Sequence, residues 1–339
     1  MSTADIAAGK YFARLIRQQR DDLAELLVSA YDQVMQMVDS GTLDASGFAD
    51  TMRWAKAHEH AQLIVNVTSL GIDNSLLMAK AADEHVESIA VLMEGDRESY
   101  VSTIALLRSA AEALVQICYF FDPDVRPIKR FLRAAAYHVE SVSGVLKTSR
   151  AYGPRMPEAD LREKEAVCEE VLDALRDGGL LISRLEPGDE YFGRVELDGV
   201  GERTRFNATD AFKKFLPGEP FEWQAGSGAT HSLGWFLVSM LGGTEYESDA
   251  TDESTYGATT LSLFNLTDAV IRVVGAASGI DTTEYLKRSF RRRKAVVAKA
   301  SNQSFSSIDR ETYDARPVGR KLKSPPGGSA FRRPRRVGR

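Results

Sequence analysis

The 339-residue chain is 43% hydrophobic, which is enough apolar material for a substantial folded core. Its net charge of −5 is the sum of two regions of opposite charge. Residues 287–339 contain 17 Lys and Arg and 3 Asp and Glu, whereas residues 1–286 contain 26 Lys and Arg and 45 Asp and Glu. The two cysteines, Cys118 and Cys168, lack the spacing of a zinc or redox site, and the first residues lack a signal-peptide pattern, which favours a cytoplasmic protein over a secreted one.

The first hundred residues predict three helices. Apolar residues recur at helical spacing over about residues 4–38, and Asp39, Ser40 and Gly41 end that pattern. A second helix is predicted over about residues 46–69 and a third over 75–93, because the glycine and polar residues of 70–74 are typical of a break. We expect long antiparallel helices in one body over residues 1–300, with 71–98 as an alternative place for a domain boundary.

The most apolar segment is Tyr100–Phe121. Its length would suit a membrane span, but Arg108, Glu112 and Gln116 lie one turn apart in its middle, where charge is costly in lipid. The sequence therefore predicts the central helix of a bundle and no membrane span. Arg108 and Glu112 can interact on one face, either as an internal ion pair or as the polar centre of a site.

The segments that follow are predicted to be helical, with one exception. Residues 125–148 form a basic helix and 157–177 an acidic one, whereas residues 191–206 alternate around Asp198-Gly199 like a small β-hairpin. Short helices are expected over 207–216 and after His231. Longer ones are expected over 258–277 and from Thr282 or Thr283 to residue 300.

Arg133 and His138 form the first candidate for chemistry on the basic helix. A guanidinium that can hold a phosphate, beside an imidazole that exchanges protons near neutral pH, suits RNA cleavage through its own 2′-hydroxyl. Four residues separate them, and this spacing resembles that of the HEPN superfamily, whose helical bundles include ribonucleases with an Arg, four to six residues, then His. The resemblance implies that Arg133 and His138 are catalytic, with Arg108 and Glu112 beside them. Arg53 stands in a matching relation to His58 and His60.

A wider resemblance covers roughly residues 75–280. The apolar helix, the Asp-Pro stop, the basic helix and a late Ser-x-x-x-His are similar to a group of bacterial, often actinobacterial, helical proteins. In that last motif, Ser227 and His231 follow a glycine-rich loop, where a helix N-terminus could hold an anion, although a helix cap explains the Ser equally well.

The basic end provides the candidate binding residues. Arg291, Arg292 and Arg293 lie in the last predicted helix, and residues 301–339 have too few apolar residues to fold alone, which predicts a disordered tail. Residues 287–339 would suit nucleic acid, or they could fold back on the acidic body.

The sequence thus predicts a mainly α, multi-helix bundle with one β-hairpin insertion and a basic tail. The leading functional hypothesis is a HEPN-like protein that binds or cleaves RNA in bacterial stress or phage defence. This hypothesis requires no metal or cofactor, and in one form of it the protein is a homodimer. The alternatives are a non-catalytic interaction protein and a bundle that binds a small ligand near His231.

Overall fold

The computed structural model describes residues 3–40, 47–95, 99–152, 157–184, 192–217 and 252–300. In these ranges the chain is mainly helical with a small antiparallel sheet, which confirms the predicted fold class. The helices are α1 (Thr3–Ser40), α2 (Gly47–Ala57), α3 (Ala61–Glu94), α4 (Tyr100–Phe121), α5 (Pro127–Tyr152), α6 (Glu158–Asp177), α7 (Ala208–Phe215), α8 (Asp252–Ser278) and α9 (Thr283–Ala300). Ser227, His231 and the basic tail of residues 301–339 lie outside the described residues.

The break between the second and third helices lies elsewhere than predicted. It falls at residues 58–60, and α3 runs unbroken through Gly71. A Cβ at Gly71 would lie 2.6 Å from the Phe120 ring and 2.8 Å from the Ala134 Cβ. Glycine is therefore present because three helices approach closely there, and not because the helix stops.

The sheet contains the predicted hairpin and one further strand. Strands β2 (Arg194–Leu197) and β3 (Val200–Arg203) pair antiparallel, and β1 (Leu181–Ser183) pairs with the other edge of β2. The turn residues Asp198 and Gly199 have φ angles of 52° and 72°, as the tight hairpin turn requires. The sequence did not indicate β1, because three residues are too few to show alternation.

Helix α4 is the central helix of the bundle, as predicted. It packs against α3, α5, α7 and α8, while α1 packs against α3 and α8. One apolar cluster extends from Ala8 to Val296, so the residues on both sides of 71–98 share a core. In the described part of the chain, α4 and the Thr255–Ser278 stretch of α8 have the length and composition of membrane spans, but core helices share these properties. Their most apolar windows are 56% and 78% buried inside the bundle.

Candidate functional site

The C-terminal end of α4 is held by two arginines of α5. The last carbonyl groups of a helix have no partner within it, so other groups must supply donors. Arg130 and Arg133 lie one turn apart on α5 and provide them: Arg130 Nη2 donates to the Asp122 carbonyl oxygen at 2.7 Å, and Arg133 Nη1 donates to the Tyr119 carbonyl oxygen. The basic start of α5 is thus turned inward, toward the end of the preceding helix.

Arg130 is a structural brace. Its side chain is fully buried, and Nη1 donates to the Gly47 carbonyl oxygen and to Thr51 Oγ1, each at 2.6 Å. The guanidinium also lies 4.7 Å from the centre of the Phe48 ring. Burial and the neighbouring charge of Arg133 lower the pKa of Arg130 to about 10. This side chain therefore joins α2, α4 and α5 at one point.

Asp122 is the carboxylate at this junction and is 1% exposed. Its Oδ2 accepts a hydrogen bond from Arg133 Nη1 at 3.2 Å and another from the Lys214 ammonium group on α7. Three cations, those of Arg130, Arg133 and Lys214, thus surround one carboxylate. The next cation, Lys129, is neutralised separately by Glu202, whose Oε2 lies 2.9 Å from Nζ.

A cavity opens beside this junction, between α3, α4, α5 and the end of β3. It encloses about 460 Å³, including its open mouth. Its lining is mostly apolar with a set of convergent polar groups, a combination typical of small-molecule sites. The lining residues are Gly71, Asn74, Ser75, Met78, Gln116, Tyr119, Phe120, Arg133, Ala134, Ala136, Tyr137, Glu140, Arg203, Thr204 and Phe206.

Four polar side chains of this lining have no partner within the described part of the protein. They are the amides of Asn74 and Gln116, the hydroxyl of Tyr137 and the guanidinium of Arg203. By contrast, the hydroxyls of Ser75 and Thr204 are satisfied, since they donate to the carbonyl oxygens of Gly71 and Phe192, each at 2.8 Å. The unpartnered groups are available to a molecule in the cavity.

Two titratable side chains in the cavity have shifted pKa values. Burial raises the pKa of Tyr119 to about 12, so its hydroxyl is protonated at neutral pH. Burial also raises the pKa of Glu140, although the Phe206 backbone and Arg205 oppose this shift. The Tyr119 ring packs edge-on against Phe206 with ring centres 5.3 Å apart, and the Arg133 guanidinium carbon lies 3.7 Å from the Tyr119 ring centre.

Of the four predicted catalytic residues, only Arg133 lines the cavity. Arg108 lies eight residues before Gln116 on α4, about 12 Å away along the helix axis. His138 lies five positions after Arg133, which is roughly 140° around α5. Burial lowers the pKa of His138.

Glu112 is exposed, so the prediction that it lies inside the bundle with Arg108 is wrong. The two residues are four positions apart, as an ion pair on one helix face requires, but the Glu112 side of α4 faces outward.

The residues of the second Arg-to-His match, Arg53, His58 and His60, make structural contacts. Arg53 is exposed and pairs with Asp50 of its own helix. His58 Nε2 lies 3.0 Å from Asp198 Oδ2 at the hairpin turn, while His58 Nδ1 accepts from the His60 backbone N–H at 3.1 Å. These bonds shape the turn between α2 and α3. Throughout the described ranges, no three His, Cys, Asp or Glu side chains converge as a metal site would require.

The predicted binding arginines of α9 face different surroundings. Arg293 is 8% exposed and donates to Asp268 Oδ2 from Nε at 3.0 Å and from Nη2 at 2.7 Å. Arg292 Nη1 donates to Asp22 Oδ2 at 2.6 Å. Both are therefore used inside the protein, against their predicted role at a partner surface, because α1 and α8 present carboxylates to this face of α9. Arg291 is exposed.

Sequence reasoning missed most of the cavity. Asn74 fell in a supposed break, Asp122 was read only as a helix stop, and Arg203 only as part of a hairpin. Gln116 had a visible signal, since it interrupts an apolar helix. The other residues carry no sequence signal of their own, because helices distant in sequence bring them together.

No protein-family model matches the chain, and neither the curated proteins nor the solved structures give a significant match.

Proposed function

We propose that this protein binds a small organic molecule in the cavity between α3, α4, α5 and the end of β3. The observation that carries the proposal is the set of four unpartnered polar side chains, from Asn74, Gln116, Tyr137 and Arg203, around a largely apolar space. Known small-molecule sites combine an apolar lining with a few polar groups. The cavity has that composition.

Gln116 and Asn74 provide polar character in an otherwise apolar wall. Both side chains are half-buried, and α4 is strongly apolar, so Leu or Met at position 116 would pack there equally well. The amides add hydrogen-bonding capacity that the described part of the fold does not use. These side chains therefore suit binding better than they suit stability.

The first test fills the cavity. Ala136→Leu adds bulk to a buried wall residue, and Ala151→Leu makes the same change on the exposed side of the same helix. Thermal-shift and calorimetric titrations would use benzoate, phenyl phosphate, adenosine and benzyl alcohol. We expect saturable binding of at least one probe to the wild type and to Ala151→Leu, and its loss in Ala136→Leu. Equal binding by both variants would place the ligand elsewhere.

The second test separates binding from stability. Gln116→Met keeps the shape of the side chain and removes its amide, and Gln62→Met makes the same change at an exposed position of α3. We expect Gln116→Met to unfold at the same or a higher temperature but to bind the probe more weakly. An unchanged affinity would remove Gln116 from the site.

A second candidate function is the binding of an anionic polymer by the basic end of the chain. Arg291 and Lys294 lie on the outer side of α9, and residues 301–339 add ten Lys and Arg against three Asp and Glu. A single-stranded RNA would gain affinity from counterion release, so its binding would weaken steeply with salt.

The polymer hypothesis can be tested by truncation and charge removal. We expect deletion of residues 301–339, combined with Arg291→Gln and Lys294→Gln, to weaken binding of a single-stranded RNA and to reduce its salt dependence. Unaltered affinity and salt dependence would exclude this surface. RNA cleavage by Arg133 and His138 stays a prediction: cleavage that survives His138→Ala would remove His138 from it.

A further inference from the structure

Arg133 lines the cavity and keeps one N–H group without a partner. Its Nη1 donates to the Tyr119 carbonyl oxygen and to Asp122 Oδ2, and the Tyr119 hydroxyl also hydrogen-bonds to the guanidinium. Nε is buried and has no partner among the described residues. Buried N–H groups are rarely left unpaired in proteins. Among the described lining residues, Arg133 is the one whose side chain has a buried, unpaired polar atom.

The charges around the cavity favour an anion. Among the described residues, Asp122 is the one carboxylate that pairs with Arg133, and it also pairs with Lys214. The fully buried Arg130 donates to the backbone of Asp122. Arg203 adds a cation at the end of β3 that is without a carboxylate partner anywhere in the described chain. Glu140 is the only acidic side chain among the described lining residues. The cations thus outnumber the carboxylates on this side of the cavity.

We propose that the ligand is a small organic oxyanion, a carboxylate or a phosphate monoester with an apolar body. The guanidinium of Arg133 binds the charged group with Arg203 as the second cation of the lining, and the apolar body packs against Phe120, Tyr137 and Phe206. The proposal rests on the ligand-binding function of the cavity. The planar edge of an arginine matches two oxygen atoms of a carboxylate or phosphate at once, which a lysine ammonium cannot do.

The decisive variants change the edge or the neighbouring charge. Arg133→Lys keeps a positive charge for Asp122 but removes the planar edge. Arg203→Gln removes a charge from an exposed side chain, so this variant tests the proposal even if Arg133→Lys proves unstable. Arg184→Gln is the matched control, since Arg184 is an exposed side chain directly after β1 of the same sheet and does not line the cavity.

Calorimetric titration with benzoate, phenyl phosphate and the neutral benzyl alcohol tests the proposal. We expect wild type and Arg184→Gln to bind one or both anions more tightly than benzyl alcohol. Arg133→Lys should weaken anion binding on the order of 10- to 100-fold, and Arg203→Gln should weaken it a few-fold, roughly as expected for an exposed charge. Tighter binding of benzoate or of phenyl phosphate identifies which oxyanion the site prefers.

Two outcomes would overturn the proposal and are distinguishable. If benzyl alcohol binds as tightly as the anions, Arg133→Lys and Arg203→Gln have no effect, and Ala136→Leu abolishes binding, the cavity binds a ligand but not an oxyanion. If no probe binds saturably to the wild type, both this inference and the proposed function fail.

Discussion

Helices α5 and α9 look alike in the sequence and behave differently in the structure. Each is amphipathic and carries a run of Lys and Arg in its first half. The arginines of α9 meet carboxylates of α1 and α8, so that Asp22 and Asp268 neutralise Arg292 and Arg293. The arginines of α5 meet mainly backbone carbonyl groups, and one of them, Arg133, contacts the Asp122 carboxylate.

This difference shows why a basic helix does not by itself indicate a binding surface. On α9 the inward arginines are already paired, and only the outer row faces solvent. On α5 the inward arginines retain excess charge and an unpaired N–H, next to a cavity. The candidate ligand site is therefore at the helix whose charges are incompletely satisfied, and the following variants test that contrast.

The largest effect is expected at Asp122. Asp122→Asn leaves Arg133 without a charged partner in a buried setting, whereas the more exposed Lys214 can turn to water. Removing one member of a buried ion pair costs about 3–5 kcal/mol of unfolding free energy. Asp124→Asn is the control, because Asp124 is an exposed side chain of the same loop and its loss should cost less than about 0.5 kcal/mol. Urea unfolding measures both. Similar costs for the two variants would mean that Asp122 is not the hub of this junction.

A smaller loss is expected on α9. Arg293→Gln removes a buried pair with Asp268, but Asp268 Oδ1 keeps a hydrogen bond from the Gln19 amide at 3.1 Å. We expect a cost of about 2 kcal/mol, the range of a hydrogen bond to a charged group. Arg291→Gln, on the exposed side, should be nearly neutral. If Arg293→Gln were as costly as Asp122→Asn, the pairs of α9 would be no better compensated than those of α5.

Substitutions at two glycines test how closely α3, α4 and α5 approach one another at the cavity wall. At Gly71 a Cβ would meet Phe120 and Ala134 closer than van der Waals contact, so Gly71→Ala should destabilise by about 1–3 kcal/mol. At Gly144, on the exposed side of α5, no atom lies within 4 Å of an added Cβ, so Gly144→Ala should stabilise by about 0.5–1 kcal/mol. Thermal unfolding of both variants decides this. A stabilising Gly71→Ala would contradict the close approach of α3, α4 and α5.

Gly71 also shows where sequence-based prediction succeeded and where it failed. Local signals placed α4 at Tyr100–Phe121, the turn at Asp198-Gly199 and the start of α9 at Thr282 or Thr283, because apolar periodicity and capping residues act over short distances. Gly71 was taken as a helix break because the sequence does not reveal that Phe120 and Ala134 lie against it.

The site was less predictable for the same reason. The sequence identified Arg133 as a candidate site residue. Its hydrogen-bond partners, however, come from the end of α4, and other walls of the cavity come from α3 and β3. The outward position of Glu112 depends on how α4 is rotated in the bundle. The sequence of α4 does not predict this rotation, because apolar residues occur on nearly all sides of the helix.

The smallest effect concerns the pH dependence of stability and the half-buried His138 of α5. Burial lowers the folded-state pKa of His138 below its ordinary value of 6.5, whereas the unfolded chain takes up the proton at that value. The unfolded state therefore binds more protons as pH falls below 6.5, and stability must decrease there until the folded-state pKa is passed. Because the imidazole keeps partial contact with water, we expect this loss to be smaller than the effect of Arg293→Gln. His138→Gln should remove this part of the dependence, measured by urea unfolding between pH 7 and 5, roughly the range in which histidine titrates. Parallel curves for wild type and His138→Gln would show that the acid sensitivity of the bundle arises elsewhere.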